Sequence, residues 1–256
     1  MIHRDGSVAV CTKIETERKY GDVGWIHEMN GDSQVQYTPP VVEPVPRINA
    51  DKVQYDCSLA ITENKIAVLA NELRITPNSL KRMQIGWSVN YHAYTFPMRS
   101  GAYRIIGFRV RSLNGAKWSY PGGRNGLFIP RALVNTEPYL LAEGTTDTAA
   151  LLDLGYSAIG SPDCRGGVKH LLYWLRLARL PAELVVVADP DAPGISGAEN
   201  LVKEILGDQR ARRNVCSIKM IVPPAKDIRE WITKSGAGNA DIDMLINEAE
   251  ELKGGE

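Results

Sequence analysis

Two short stretches decide the fold: Leu140-Leu141-Ala142-Glu143-Gly144-Thr145-Thr146-Asp147 and Leu184-Val185-Val186-Val187-Ala188-Asp189-Pro190-Asp191-Ala192-Pro193-Gly194. Each is a short apolar run that ends in acidic residues, and runs of this length predict strands that are buried on both faces of a parallel sheet. In such a sheet the ligand site lies outside the carboxyl ends of the strands. We therefore expect Glu143, Asp189 and Asp191 to meet at one end of the sheet.

Three carboxylates in one place repel one another, and each raises the pKa of its neighbours. A bound divalent cation removes this repulsion, and carboxylate oxygens are ligands that Mg²⁺ prefers. The sequence therefore predicts a catalytic Mg²⁺ site formed by Glu143, Asp189 and Asp191, and we expect Mn²⁺ to be able to replace Mg²⁺ there.

The spacing of these acidic residues resembles that of the Toprim domain, which topoisomerases, primases and some nucleases share. That domain carries Glu-Gly-x-x-Asp after one strand, as in Glu143 to Asp147, and Asp-x-Asp-x-x-Gly after a later one, as in Asp189 to Gly194. The resemblance implies an α/β fold in which a central, mostly parallel sheet is flanked by helices. It also implies that Asp147 belongs to the metal-binding acidic rim.

A third apolar run at residues 218–222 is followed by Lys226-Asp227, which resembles the Lys-Asp that follows the next strand in primases. This resemblance adds Asp227 to the metal-binding rim and gives Lys226 the role of neutralising a phosphate. One departure is that primases read Lys-Asp-x-Asp, whereas Arg229 stands here at the position of the second Asp. One metal position is therefore expected to be weaker or differently filled.

The segment before these motifs resembles the catalytic core of bacterial DnaG-type primases and of phage and plasmid primases. The motifs that carry the resemblance are Phe96-Pro97-Met98-Arg99, Ile106-Gly107-Phe108-Arg109-Val110-Arg111, Lys117-Trp118-Ser119-Tyr120 and Gly126-Leu127-Phe128. In that family a small basic α+β subdomain holds template and nucleotide beside the Toprim domain. The resemblance implies nucleic-acid or nucleotide binding by Arg99, Arg109, Arg111 and Lys117, together with Lys226.

Charge supports this assignment, because residues 73–136 contain ten Lys and Arg but no Asp or Glu, although the formal net charge of the chain is zero. Arginine makes forked contacts with phosphates, whereas lysine acts as a point charge.

Trp118 and Tyr120 either stack on a base or belong to the core of a small sheet, since alternation along a strand fits both.

The chain has 256 residues, a hydrophobic share of 44% and a mean hydropathy of -0.21, which are ordinary values for a globular protein. Its four cysteines form no C-x-x-C pair, and near the amino terminus only His3 and Cys11 could bind zinc, where four ligands are needed. A zinc site is therefore not expected. Without a membrane-spanning run or a signal peptide, we expect a cytoplasmic protein without a membrane partner.

Four segments are predicted. Residues 1–57 form an amino-terminal segment, a remnant of a zinc ribbon, which includes a proline-rich linker at 38–47. Residues 58–136 form the basic subdomain, and residues 137–235 form the Toprim domain. Residues 236–256 form an acidic carboxyl-terminal helix. Apolar spacing predicts one amphipathic helix from Ser58 to Leu73, and Thr76-Pro77 predicts the start of another.

Taken together, the resemblance implies a primase-type nucleotidyltransferase that makes short RNA primers from NTPs on a single-stranded DNA template, with a replicative helicase as a further partner. A Toprim nuclease would use the same carboxylates with water as the nucleophile. A third alternative is a nucleic-acid-binding replication accessory protein that has lost catalysis, which the Arg229 departure favours.

Overall fold

The structure, a computed structural model, describes residues 8–11, 16–20, 24–28, 46–133, 137–163, 166–177 and 182–253. The chain forms two compact units, Met1–Pro44 and Val45–Glu256. In the first unit β1 (Val8–Cys11), β2 (Lys19–Tyr20) and β3 (Gly24–Glu28) form an antiparallel sheet with β3 in the centre. The alternating pattern of Ser7-Val8-Ala9-Val10-Cys11 predicts a strand, which is confirmed over Val8–Cys11. His3 and most of the predicted linker lie outside the described residues.

The second unit begins with three helices, α1 (Ala50–Ala60), α2 (Glu63–Leu73) and α3 (Pro77–Arg82). The prediction of one helix from Ser58 to Leu73 is wrong, because the chain breaks at Ile61-Thr62. The Thr62 hydroxyl accepts a hydrogen bond from the backbone N–H of Lys65 and so begins a new helix. The predicted start of the next helix is confirmed, with Thr76 as its N-cap and Pro77 as its first residue.

The helices are followed by an antiparallel sheet whose strands are adjacent in sequence order: β4 (Gly86–Ser88), β5 (Ala93–Arg99), β6 (Ile105–Ser112) and β7 (Lys117–Ser119). Arg109 and Arg111 of β6 pair with Ser119 and Lys117 of β7, so the basic side chains at alternate positions lie on one face. The register shifts between Met98 and Arg99, at the far end of β5.

The remaining chain alternates strands and helices. The strands are β8 (Tyr139–Glu143), β9 (Ser157–Ser161), β10 (Ala182–Val187) and β11 (Val215–Ile221), and they form a parallel sheet in the order β11-β10-β8-β9. The helices are α4 (Thr145–Asp153), α5 (Val168–Leu177), α6 (Ala192–Gly207), α7 (Gln209–Arg212), α8 (Ile228–Lys234) and α9 (Asn239–Glu248). The predicted parallel α/β sheet with flanking helices is confirmed.

The core lies on both faces of the parallel sheet. One cluster contains Leu140 and Val185 and joins the sheet to α4 and to the apolar face of α2, whereas the other contains Leu141 and Val186 and joins it to α5 and α6. Adjacent residues of one strand therefore serve opposite clusters, which explains why the strands read as continuous apolar runs.

Direct contacts fix the antiparallel sheet and the helices before it against the parallel-sheet region. Phe128 and Gly160 exchange two backbone hydrogen bonds (2.8 and 3.0 Å), and Asp153 at the end of α4 accepts hydrogen bonds from the backbone N–H and the hydroxyl of Thr76 (2.6 and 2.5 Å).

None of the helices in the described part of the chain has the length and apolar character needed to cross a membrane.

Candidate metal and nucleic-acid site

Glu143 is the last residue of β8, and a sharp turn at Gly144 leads directly into α4. Gly144 has φ +88°, in the left-handed region that glycine adopts without strain, and its N–H donates to the carbonyl of Ser161 on the neighbouring strand (2.7 Å). The turn places Asp147 in the first turn of α4, where it is only 9% exposed. This geometry explains the Glu-Gly-x-x-Asp spacing.

Asp189 and Asp191 follow β10, the strand next to β8. Asp191 is the N-cap of α6, and its Oδ1 accepts a hydrogen bond from the backbone N–H of Gly194 (2.7 Å). A Cβ atom on Gly194 would lie 2.7 Å from the carbonyl oxygen of Asp189, which is closer than real Cβ contacts allow. Glycine is therefore required for the helix to start so close behind Asp189.

Asp227 caps the third helix at this end of the sheet, because its Oδ1 accepts from the backbone N–H of Glu230 at the start of α8 (2.6 Å). Arg229 lies between two carboxylates: its backbone N–H donates to Asp147 Oδ1 (3.4 Å), and its guanidinium lies 3.5 Å from Asp227 Oδ2. The residue that departs from the primase pattern thus places a positive charge beside two of the predicted metal ligands.

The pKa values of these carboxyls show that they share one electrostatic environment. The pKa of Glu143 is raised by desolvation and then by Asp189, Asp163 and Asp191. Desolvation also raises the pKa of Asp189, and Asp227 and Asp191 raise it further. All five predicted acidic residues therefore contribute to one acidic centre at the carboxyl ends of the parallel strands.

Asp147 has the largest perturbation in this centre. Burial raises its pKa to about 7, with further contributions from Asp227 and Asp189, and the Arg229 charge and backbone hydrogen bond oppose the shift. A carboxyl with such a pKa holds a proton near neutral pH unless a cation stabilises its ionised form.

Sequence analysis missed Asp163, which acts on Glu143 from the loop after β9. No local signal marks Asp163, because its role depends on β9 lying next to β8 in the sheet, so that Asp163 follows the carboxyl end of a neighbouring strand.

The acidic centre is open rather than closed around a metal position. In the described part of the chain, three metal-ligand atoms lie mutually within 4.8 Å only at Glu137, Glu183 and Cys216, which are exposed. Those three lie at the amino ends of the parallel strands, opposite the acidic centre. In the acidic centre the donor set, which consists of carboxylate oxygens, fits a hard divalent cation such as Mg²⁺.

Three of the predicted basic residues act directly on the acidic centre. The pKa of Glu143 is lowered by Arg109, and that of Asp189 by Lys226 and Lys117. Arg109 also donates to the carbonyl of Pro162 in the loop after β9 (2.6 Å), which holds the basic sheet against the acidic centre.

Arg111 and Lys117 lie side by side at the β6–β7 pair. Arg111 forms an ion pair with Glu72 of α2 (2.6 Å). The residue Lys117 is exposed. Partial desolvation nevertheless lowers the pKa of its ammonium group, the charge of Arg111 lowers this pKa further, and Asp147 raises it. Lys117 therefore acts on the acidic centre, whereas the charge of Arg111 is paired with Glu72.

Arg99, the remaining basic residue that the resemblance implies, lies elsewhere. Its guanidinium donates to the carbonyl of Tyr103 (2.8 Å) and to the side-chain oxygen of Gln84. The cations that act on Glu143, Asp147 and Asp189 are Arg109, Lys117, Lys226 and Arg229. The structure thus separates Arg99 from the other candidate residues.

Trp118 of β7 and Tyr120 just after it belong to an aromatic cluster. The ring of Tyr91 lies 6.1 Å from that of Trp118 and 5.2 Å from that of Tyr120, both edge to face, and Tyr120 also contacts Phe108 (5.9 Å). Trp118 and Tyr120 are both partly exposed. They therefore pack against other rings and still present part of their surface.

No protein-family model and no curated protein matches the sequence. Among solved structures, the chain is similar to a DnaG primase catalytic domain bound to ssDNA, with a TM-score of 0.61, 16% identity and coverage of 79% of this chain and 78% of the other. The chain is also similar to the catalytic core of the Escherichia coli primase, with a TM-score of 0.59 and 16% identity. This similarity covers 79% of this chain and 80% of the other.

A third similar structure is the RNA polymerase domain of the Mycobacterium tuberculosis primase DnaG, in complex with a double-stranded DNA oligomer that has a 6-nucleotide overhang. Its TM-score is 0.56 and its identity is 16%, and the similarity covers 78% of this chain and 79% of the other. Because these similarities cover 78–79% of this chain at 16% identity, they concern the fold. The chain has the fold of the DnaG primase catalytic core.

Proposed function

We propose that this chain is a DNA primase: a Mg²⁺-dependent nucleotidyltransferase that makes short RNA primers from NTPs on a single-stranded DNA template. The observation that carries the proposal is the meeting of Glu143, Asp189 and Asp191 at the carboxyl ends of β8 and β10, with Lys117 and Arg109 of the basic sheet acting on the same carboxyls. An acidic centre bordered by cations suits a polyanion that is held against a metal.

Glu143, Asp189 and Asp191 would hold the metal, with Asp147 and Asp227 completing the acidic rim. Bound Mg²⁺ supplies stabilisation of the negative charge that develops on the phosphate and lowers the pKa of the attacking 3′-hydroxyl. Alternatively, the raised pKa of Glu143 would suit it to accept or return a proton during transfer in place of holding the metal.

The basic residues would position the substrates. Arg111 and Lys117 lie on the same face of the antiparallel sheet as Arg109, so they present a row of cations to the phosphates of the template and the incoming nucleotide. Lys226, whose charge lowers the pKa of Asp189, would neutralise a phosphate beside that residue. A replicative helicase, which would supply single-stranded template, is the expected protein partner.

A nuclease would need the same acidic centre, and the antiparallel basic sheet favours the primase over it, since hydrolysis needs no template-holding subdomain. An inactive accessory protein is the remaining alternative. Arg229 favours it, because its charge lies beside Asp147 and Asp227.

The experiment uses purified protein, single-stranded DNA of mixed sequence, Mg²⁺ or Mn²⁺ and labelled NTPs, with products resolved on a sequencing gel. New short oligomers that disappear in Asp189→Ala and Glu143→Ala, but persist in the matched surface variant Glu204→Ala on α6, would support the primase. Shortened input DNA would instead establish a nuclease. Binding of DNA with neither product would favour the accessory protein.

A further inference from the structure

A second concave site lies at the end of the antiparallel sheet, where the register of β5 shifts. It is an open cavity with a volume of about 600 Å³. Its walls include Gln84, Arg99, Tyr103, Pro130 and Arg131. None of these residues belongs to the acidic centre, and no Asp or Glu is among the described residues that line the cavity. The cavity is therefore positively charged without an internal counter-ion.

Arg99 shows this lack of compensation most directly. A guanidinium has five N–H donors, and two of them are used by neutral oxygens, the carbonyl of Tyr103 (2.8 Å) and the side-chain oxygen of Gln84. Desolvation lowers the pKa of Arg99, so its positive charge is partly removed from water. The remaining donors suit an anionic ligand that can accept forked hydrogen bonds.

Two further arginines are close by. Arg131 is exposed and lines the cavity, and its backbone N–H donates to the carbonyl of Arg82 (2.7 Å). Arg82 uses Nη1 to donate to the carbonyl of Leu152 (3.2 Å), and its buried Nη2 has no partner among the described residues. Arg99 and Arg131 thus line the cavity, whereas the guanidinium of Arg82 bonds to α4 and is not part of the lining.

The backbone around the cavity is also unusual. Gln84, Tyr103 and Ala132 have positive φ values of 55°, 64° and 53°, and they are three of the five described non-glycine residues in this region of φ. All three line the cavity. Strained residues that gather in one place are typical of sites that clamp a ligand.

One wall of the cavity is aromatic. Tyr103 is 49% exposed, and its hydroxyl accepts a hydrogen bond from Nε1 of the buried Trp174 (2.8 Å), which holds the ring in place. An aromatic ring beside arginines offers a surface for a base next to donors for its phosphate.

We propose that this cavity binds a nucleoside phosphate, with the phosphate held by Arg99 and Arg131 and the base against Tyr103. The ligand chemistry is shared by a free nucleoside triphosphate and by one nucleotide unit of a single-stranded DNA. This second site does not rest on the proposed primase activity, because it uses no metal and no residue of the acidic centre.

Trp174 provides a local readout. In the ¹H–¹⁵N spectrum of the protein in EDTA, the indole N–H signal of Trp174 is identified by its loss in Trp174→Phe. Titration with ATP, with an unstructured deoxyoligonucleotide and with inorganic phosphate is expected to shift this signal for at least one of the three. If ATP alone saturates the site, the ligand is a free nucleotide. If the oligonucleotide alone saturates it, the ligand is a DNA strand. If inorganic phosphate saturates it as well, the site recognises mainly the anion.

Arg131→Gln is expected to weaken binding by about tenfold or more, because one charge-assisted contact with phosphate is lost. Arg99→Gln is expected to weaken it at least as much. Arg210→Gln, an exposed arginine on α7, removes the same charge outside the cavity and should leave the affinity within about twofold. A Trp174 signal that none of the three probes shifts would overturn the proposal, as would unchanged affinity in Arg131→Gln, whose side chain is exposed.

Discussion

Gly194→Ala tests whether the acidic centre depends on the close start of α6. The added Cβ would lie 2.7 Å from the carbonyl oxygen of Asp189, 2.8 Å from its Cβ and 3.0 Å from Oδ1 of Asp191. Both aspartates would have to withdraw by several tenths of an ångström. Overpacking of this kind costs about 1–3 kcal/mol, and loss of an N-cap hydrogen bond costs about 0.5–2 kcal/mol. We therefore expect a decrease of about 2–4 kcal/mol in the free energy of unfolding.

The matched control is Gly207→Ala at the other end of the same helix, where an added Cβ meets no atom within 4 Å. That substitution should leave stability unchanged or raise it by up to about 1 kcal/mol, because alanine restricts the unfolded chain. Urea unfolding in EDTA measures both effects, and Mn²⁺ binding then reports on the displaced carboxylates. Wild-type stability and wild-type Mn²⁺ affinity in Gly194→Ala would refute the account of why glycine stands at this position.

Three further predictions concern charge and hydrogen bonding. Folding raises the pKa of Asp147 to about 7, so between about pH 4 and pH 7 the folded state binds more protons, and its stability falls as the pH rises through this window. In EDTA, Asp147→Asn should accordingly raise the free energy of unfolding by a few kcal/mol at pH 8, and the gain should vanish toward pH 4; a pH-independent difference in urea unfolding would contradict this. Lys117→Gln should lower the affinity for single-stranded DNA and reduce the slope of log K against log salt by about 0.7, whereas the exposed Lys203→Gln should change neither in a fluorescence anisotropy titration. Asp153→Ala removes two hydrogen bonds from Thr76 and should cost about 1–3 kcal/mol of unfolding free energy without changing Mn²⁺ affinity, and an unchanged denaturation midpoint would argue against this contact.

The parallel sheet and the meeting of its acidic residues could be predicted because the signals are local. A strand that is buried on both faces must be apolar throughout, and the carboxyl ends of parallel strands point the same way. Glu143 and Asp189 could thus be placed together from the runs that precede them, before any contact was known.

Other features depend on information that is not local. The apolar spacing of Leu59 and Ile66 continues across the break between α1 and α2, and Leu59 proved 68% exposed, so periodicity alone could not place the boundary at Thr62. Arg99 matched a primase motif, but its guanidinium bonds to Tyr103 and Gln84 and does not act on the acidic centre, which no local pattern indicates. Asp163 acts on Glu143 only because β9 lies next to β8, which is a property of strand order.

The central claim is that the divalent cation binds at Glu143, Asp189 and Asp191. It is tested most directly by Mn²⁺ binding, measured by electron paramagnetic resonance, in Asp189→Ala and in a double variant that carries Glu137→Ala and Glu183→Ala. The account predicts that Asp189→Ala weakens Mn²⁺ binding by at least tenfold and that the double variant, at the opposite end of the sheet, binds as the wild type does. Loss of Mn²⁺ in the double variant with retention in Asp189→Ala would contradict it.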